Sequence, residues 1–271
     1  MDVLFFKVAL AAYLVTTLGY VVSLLAKRVV AAKVSTWLLF FAFVIHAGYF
    51  GARCILTKQS PILGMHDAFS FLAWVIAGIY LAFQLKTRTR ILGAFVSPAV
   101  SLLMIIASVG LGGQVSIPAT LQGRLVPIHI VMAVMGEALF VLASCAGAMY
   151  LIQDSLIKRK KGRGFITLLP SLGDLDKINR ICLLWGFPLL TAGVLVGSIW
   201  ARTVWGSNWG WDPKRIWTLM AWLCYAFLLH QRLVMGWTGR KVAILSVAAF
   251  IIFLVSFIVT NRLFTTLHSF L

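Results

Sequence analysis

The sequence predicts an all-α fold: a polytopic transmembrane bundle of eight spans with both termini on the external, periplasmic side. Three observations carry this expectation. Hydrophobic residues make up 61% of the 271 positions and charged residues 11%, with a mean hydropathy of +0.98, values that a water-soluble domain of this length does not tolerate. The apolar residues fall into eight runs of about 20, the length that crosses a ~30 Å hydrocarbon core as a helix. None of the runs shows the period-two alternation of a membrane strand.

The runs lie near 3–26, 34–53, 67–85, 91–111, 127–152, 178–200, 213–235 and 242–262. The first has no basic leader and no small-residue cleavage site, and Asp2 precedes it, so it reads as a retained span. The second holds His46. The third opens on His66 and Asp67, where Asp67 reads as a helix cap and His66 as a surface histidine. The fifth opens with His129 just behind Pro127 and carries Glu137, a carboxylate deep in a span. An unpaired charge there is expensive, so Glu137 is expected to be neutral or hydrogen-bonded to a neighbouring helix. The seventh begins at Asp212-Pro213, a carboxylate that can cap free N–H groups followed by a proline where no N–H is needed. It carries His230, and the eighth run ends before His268. The chain reads as a single integral membrane domain over 1–271, with an external loop at about 201–216.

Charge placement sets the orientation. The net charge of +17 comes from 24 basic and 7 acidic residues. With the first connection placed in the cytoplasm, sixteen of the lysines and arginines fall on that side and eight on the other, and the positive-inside rule then puts both termini outside. Lys158 to Arg163 lies in the longest inner connection, where it fixes orientation and meets acidic membrane lipid. Nucleic acid is not needed to explain the charge. The four cysteines, at 54, 145, 182 and 224, form no C-x-x-C pair and read as small apolar residues.

The most informative stretch runs from Trp205 to Trp217, where four of the ten tryptophans fall within thirteen residues. Interfacial belts scatter tryptophan; here it alternates with Gly206 and Gly210 and closes on Asp212-Pro213. Glycines remove side chains between the indoles, so a planar apolar molecule can lie against the rings while indole N–H groups meet its polar edge.

This run resembles the tryptophan-rich WWD signature of the cytochrome c assembly and haem-handling membrane proteins, roughly W-G-x-x-W-x-W-D-x-K-E-x-W. Trp205, Gly206, Trp209, Trp211, Asp212, Lys214 and Trp217 match it. Gly197, Trp200 and Ala201 before it and Trp222, Tyr225, His230 and Arg232 after it extend the resemblance. Arg215 stands where the family has Glu; it either meets an anionic group of the ligand or is an exposed interfacial arginine.

The resemblance implies that haem b, bound non-covalently, is both cofactor and substrate. Neutral imidazole is a ready axial ligand for haem iron. By order and side, His129 and His268 occupy the places of the family's two external ligands. His230 matches an intramembrane histidine of the family, and His46, also inside a span, is a second candidate there. The chain has no nucleophile constellation of its own, so catalysis is by positioning.

With about eight spans the chain is similar to the CcsA/ResC type of the System II cytochrome c synthase. That likeness implies a haem lyase subunit in a bacterial cytoplasmic membrane, or in a thylakoid if plastid. Its partners would be a CcsB/ResB-type membrane protein, an apocytochrome bearing C-x-x-C-H and a thioredoxin-like thiol reductant. Two alternatives stand beside it: a haem delivery protein of the CcmC type without ligase activity, and a HemX-like assembly protein.

Overall fold

The structure, a computed structural model, describes residues 2–26, 28–57, 65–86, 89–109, 111, 123, 125–160, 169–205 and 213–263. Among them are eight α-helices and no strand: α1 (Asp2–Leu25), α2 (Val29–Thr57), α3 (Met65–Lys86), α4 (Gly93–Ser108), α5 (Leu125–Lys158), α6 (Leu172–Trp205), α7 (Pro213–Leu233) and α8 (Arg240–Leu263). A single 3₁₀ turn, Arg90–Leu92, leads into α4. Each predicted apolar run coincides with one of these helices. Six, α1 to α6, are long and apolar enough to cross a membrane by length and composition among the described residues.

The residues gather into two compact units, Met1–Gln114 with Ile152–Leu175, and Val115–Leu151 with Asp176–Leu271. In the first unit α1 packs on α2 and α4, and α3 packs on α4. The buried face of α1 is Phe6, Ala9, Tyr13, Thr16, Tyr20 and Ser23, a three-to-four spacing that gathers its polar groups on one stripe. In hydrocarbon such groups find partners on neighbouring helices. Tyr20 bonds Thr36 at 2.9 Å and Tyr80 at 3.3 Å, and Thr17 meets Ser101 at 2.8 Å.

The second unit is held by backbone approach. Gly136 on α5 lies against Gly186 and Leu190 on α6, so a Cβ added at 136 would fall 2.8 Å from the Leu190 nitrogen. One at Gly193 would fall 2.9 Å from the nitrogen of Ala133. Small residues permit this closeness, and the two helices run antiparallel along the seam. On the other face of α6, the Trp222 indole donates to Thr191 at 2.9 Å and Arg232 donates to Asp176 at 2.6 Å, making α7 antiparallel to α6. α8 packs on α7 and returns beside them, with Asn179 donating to Ser246 at 2.9 Å. The start of α5, the end of α6, the start of α7 and the end of α8 therefore share one end of this unit.

The turn from α7 to α8 uses Gly236 and Gly239 at φ +67° and +63°, the left-handed region that glycine enters without a Cβ penalty. Asp176 accepts the Gly239 N–H at 3.0 Å and ties that turn to α6.

Candidate functional site

His129 sits in the second turn of α5, at the shared end of the second unit. Its Nδ1 lies 2.7 Å from the carbonyl oxygen of Gly193 on α6. A carbonyl only accepts, so Nδ1 carries the proton. In a neutral imidazole the lone pair then belongs to Nε2. The ring rests on Gly197: a Cβ there would fall 2.6 Å from Nδ1 and 2.7 Å from Cε1.

Trp200 and Ala201, one turn further along the same face of α6, are buried. α6 ends at Trp205 and α7 begins at Pro213, as the Asp-Pro step predicts. The Trp-rich connection is thus anchored at this end of the unit, its first residue about 12 Å along the axis from Gly197 at ~1.5 Å per residue. Gly206, Trp209, Trp211, Asp212 and His268 lie outside the described residues, as do the side chains of Trp205, Lys214, Arg215 and Trp217.

The two histidines expected inside spans are placed differently from one another. His230 is exposed, in the last turn of α7. Two residues on, and so on the opposite side of the helix, Arg232 is buried and held by Asp176 and Asn179. His46 is fully buried in the first unit, where Nε2 meets Ser70 at 2.8 Å and Nδ1 meets the Tyr13 hydroxyl at 3.3 Å. Phe50 stacks on its ring at 5.0 Å between centroids. For His46 to ligate iron, one of those two bonds has to open.

The expectation of a surface histidine at position 66 is overturned. His66 is buried, bonded through Nε2 to Tyr49 at 2.8 Å and through Nδ1 to the carbonyl of Ala107. Asp67 does more than begin a helix: it forms an ion pair with Arg53 at 2.9 Å and accepts from Tyr49 at 3.1 Å. This cluster lets His66 turn inward, since both of its ring nitrogens lie within hydrogen-bond reach of an oxygen on another helix.

Glu137 is part-buried in α5. Three residues on, Phe140 stacks on Tyr225 of α7 at 3.5 Å between centroids.

Sequence reasoning missed Gly193 as a partner of His129. The available signal was Gly186, Gly193 and Gly197 on one face of a single apolar run, the spacing of close helix contact.

Residues 62–268 match the family described as Cytochrome C assembly protein. Proteins called cytochrome c biogenesis protein CcsA are similar over most of their length. The protein of Microcystis aeruginosa is 28% identical over 272 residues, 83% of each chain. That of Chlorella vulgaris is 29% identical over 273 residues, 85% of this chain and 86% of its own. That of Heterosigma akashiwo is 32% identical over 246 residues, 78% and 76% respectively. By the breadth of these matches and the stack of apolar helices, the chain belongs to the cytochrome c assembly protein family and is of its CcsA type, a multi-pass membrane protein of cytochrome c biogenesis.

Proposed function

We propose that the chain receives haem b, non-covalently, and presents it at the external end of the second unit for attachment to apocytochrome c. In this reading α7 and α8 complete eight spans, both units belong to one membrane domain, and the end bearing His129 faces away from the cytosol. The membrane is the bacterial cytoplasmic membrane, or the thylakoid if the protein is plastid-encoded.

The observation that carries the proposal is the bond from His129 Nδ1 to Gly193. It fixes the tautomer that places a lone pair on Nε2, the second-coordination arrangement that metal-binding histidines use. The architecture supports the rest. The four helix ends at this pole belong to α5, α6, α7 and α8, and these bear His129, both ends of the Trp-rich loop and the segment leading to His268. Trp205, Trp209, Trp211 and Trp217 supply flat apolar faces for the ring, Gly206 lets the chain approach it, Asp212 closes the motif as the carboxylate of the Asp-Pro step, and Lys214 supplies a cation for a propionate. His230 serves haem on its way across, with His46 as a second intramembrane ligand once its bond to Ser70 or Tyr13 is exchanged.

The chemistry belongs to the two substrates. Each cysteine S–H of a C-x-x-C-H segment adds across a haem vinyl group, sulfur to one carbon and hydrogen to the other, with no net change of oxidation state. The cysteines must arrive as thiols, which a thioredoxin-like reductant provides, and a CcsB/ResB-type protein completes the synthase. This chain's residues orient the porphyrin and exclude competing geometries.

Co-expression with a CcsB-like protein and a C-x-x-C-H reporter, followed by haem staining of a denaturing gel, tests the assignment. Covalent haem on the reporter that disappears in the His129→Ala variant supports the synthase role. Non-covalent haem on this chain with no covalent product supports the delivery role of the CcmC type instead.

A further inference from the structure

We propose that Gly193 and Gly197 form a seat on α6 that sets the tautomer and tilt of the His129 imidazole, and so act as positioning residues for the external haem ligand. The inference rests on the assignment of His129 as an iron ligand made above.

The two glycines act by different means. A helix carbonyl points along the axis toward the N–H four residues on, so access to the Gly193 oxygen is governed by what stands at position 197. With no side chain there, the imidazole can lie against α6 and Nδ1 can reach that oxygen at 2.7 Å. Gly193 brings α5 near enough for this to happen, because its own Cβ position is already taken by the backbone of Ala133 at 2.9 Å and 3.1 Å.

Close helix packing alone accounts for Gly136 and Gly193, whose nearest neighbours are backbone atoms of the opposite helix. It does not account for Gly197. The three atoms nearest a Cβ at 197 are Nδ1, Cε1 and Cγ of His129, at 2.6, 2.7 and 3.3 Å. Glycine at this position makes room for the imidazole.

A hydrogen bond to the non-ligating nitrogen orients the ring and raises the basicity of the other nitrogen; removing such a partner typically costs 10–100-fold in affinity. An alanine at 197 would push the ring off the helix and break the bond to Gly193, while its neighbour is a side chain that can swing away. An alanine at 136 meets backbone and has to part the helices.

The test uses the full chain purified in detergent, as wild type and as Gly197→Ala, Gly136→Ala and His129→Ala. Two readouts are taken: ferrous haem b titration, and ¹⁵N NMR of histidine-labelled protein without haem, the His129 signal being identified by its loss in His129→Ala. The expected wild-type signal is the Nδ1–H tautomer. Gly197→Ala is expected to lose that tautomer and about 10–100-fold of haem affinity. Gly136→Ala is expected to lower thermal stability and keep the tautomer.

A wild-type tautomer and affinity in Gly197→Ala would overturn the seat. So would an Nε2–H tautomer in the wild type, which decides the matter even if Gly197→Ala does not fold. Full haem affinity in His129→Ala would instead remove the ligand assignment, with the tautomer still reporting on the seat.

Discussion

Arg232 and Asp176 are joined at 2.6 Å at the end of the second unit opposite His129. The pair fastens α7 to α6 where a buried guanidinium would otherwise be very costly, and Asn179 accepts a further bond from the same arginine at 3.0 Å. Replacing Arg232 with Met leaves the Asp176 carboxylate with the Gly239 N–H but no guanidinium, and removes this link between the two helices. The expected loss is about 3–5 kcal/mol, the usual cost of removing one member of a buried pair. A fall in the thermal unfolding midpoint of detergent-purified protein measures it, and an unchanged midpoint contradicts the clamp.

Within the first unit, Arg53 of α2 and Asp67 of α3 are paired at 2.9 Å. Arg53→Leu leaves Asp67 with the Tyr49 hydroxyl but no adjacent guanidinium at 2.9 Å. The expected loss is of the same order, about 3 kcal/mol. Because Tyr49 also bonds His66, proteolysis near the end of α2 and the start of α3 should accelerate in this variant and stay at the wild-type rate in Lys7→Leu.

Ser70→Ala removes the 2.8 Å partner of His46 Nε2. Single hydrogen bonds between membrane helices are modest, so a loss of about 0.6 kcal/mol is expected, with about 1.7 as the upper end. The same variant releases the nitrogen that His46 would need in order to bind iron. Retained or increased haem in Ser70→Ala agrees with His46 as an intramembrane ligand; haem lost while the fold is kept would exclude it.

Much of the helical architecture was legible because long apolar runs are written in composition. Each of the eight apolar runs falls on a helix, and Pro213 opens α7 as the Asp-Pro step implies. The ends of α5 and α6 were not legible. Hydropathy reports the thickness of hydrocarbon rather than the length of a helix, and both helices run on to 34 residues. Within the extension of α5, Asp154 and Lys158 pair at 2.9 Å across one helical turn. The extension of α6 opens on Ser171 as a helix cap, whose hydroxyl accepts the Asp174 N–H at 3.0 Å and donates to the Asp174 carboxylate at 2.7 Å.

The candidate site divides in the same way. His129 could be picked out by its position at a helix start, because that is a local property of the chain. The carbonyl that fixes its tautomer could not, since Gly193 is 64 residues away and only the packing of α5 on α6 brings the two together. His66 misled for the same reason. Next to a presumed helix cap it looks like a surface residue, and only Tyr49 and Ala107, on other helices, make it an interior one.

The most direct measurement is the reduced absorption spectrum and pyridine haemochrome of the full chain purified as wild type, His129→Ala and His268→Ala. The account predicts a low-spin b-type spectrum in the wild type, with haem per protein reduced at least tenfold in either variant under conditions where the fold is retained. Wild-type spectra and haem content in both variants would contradict it.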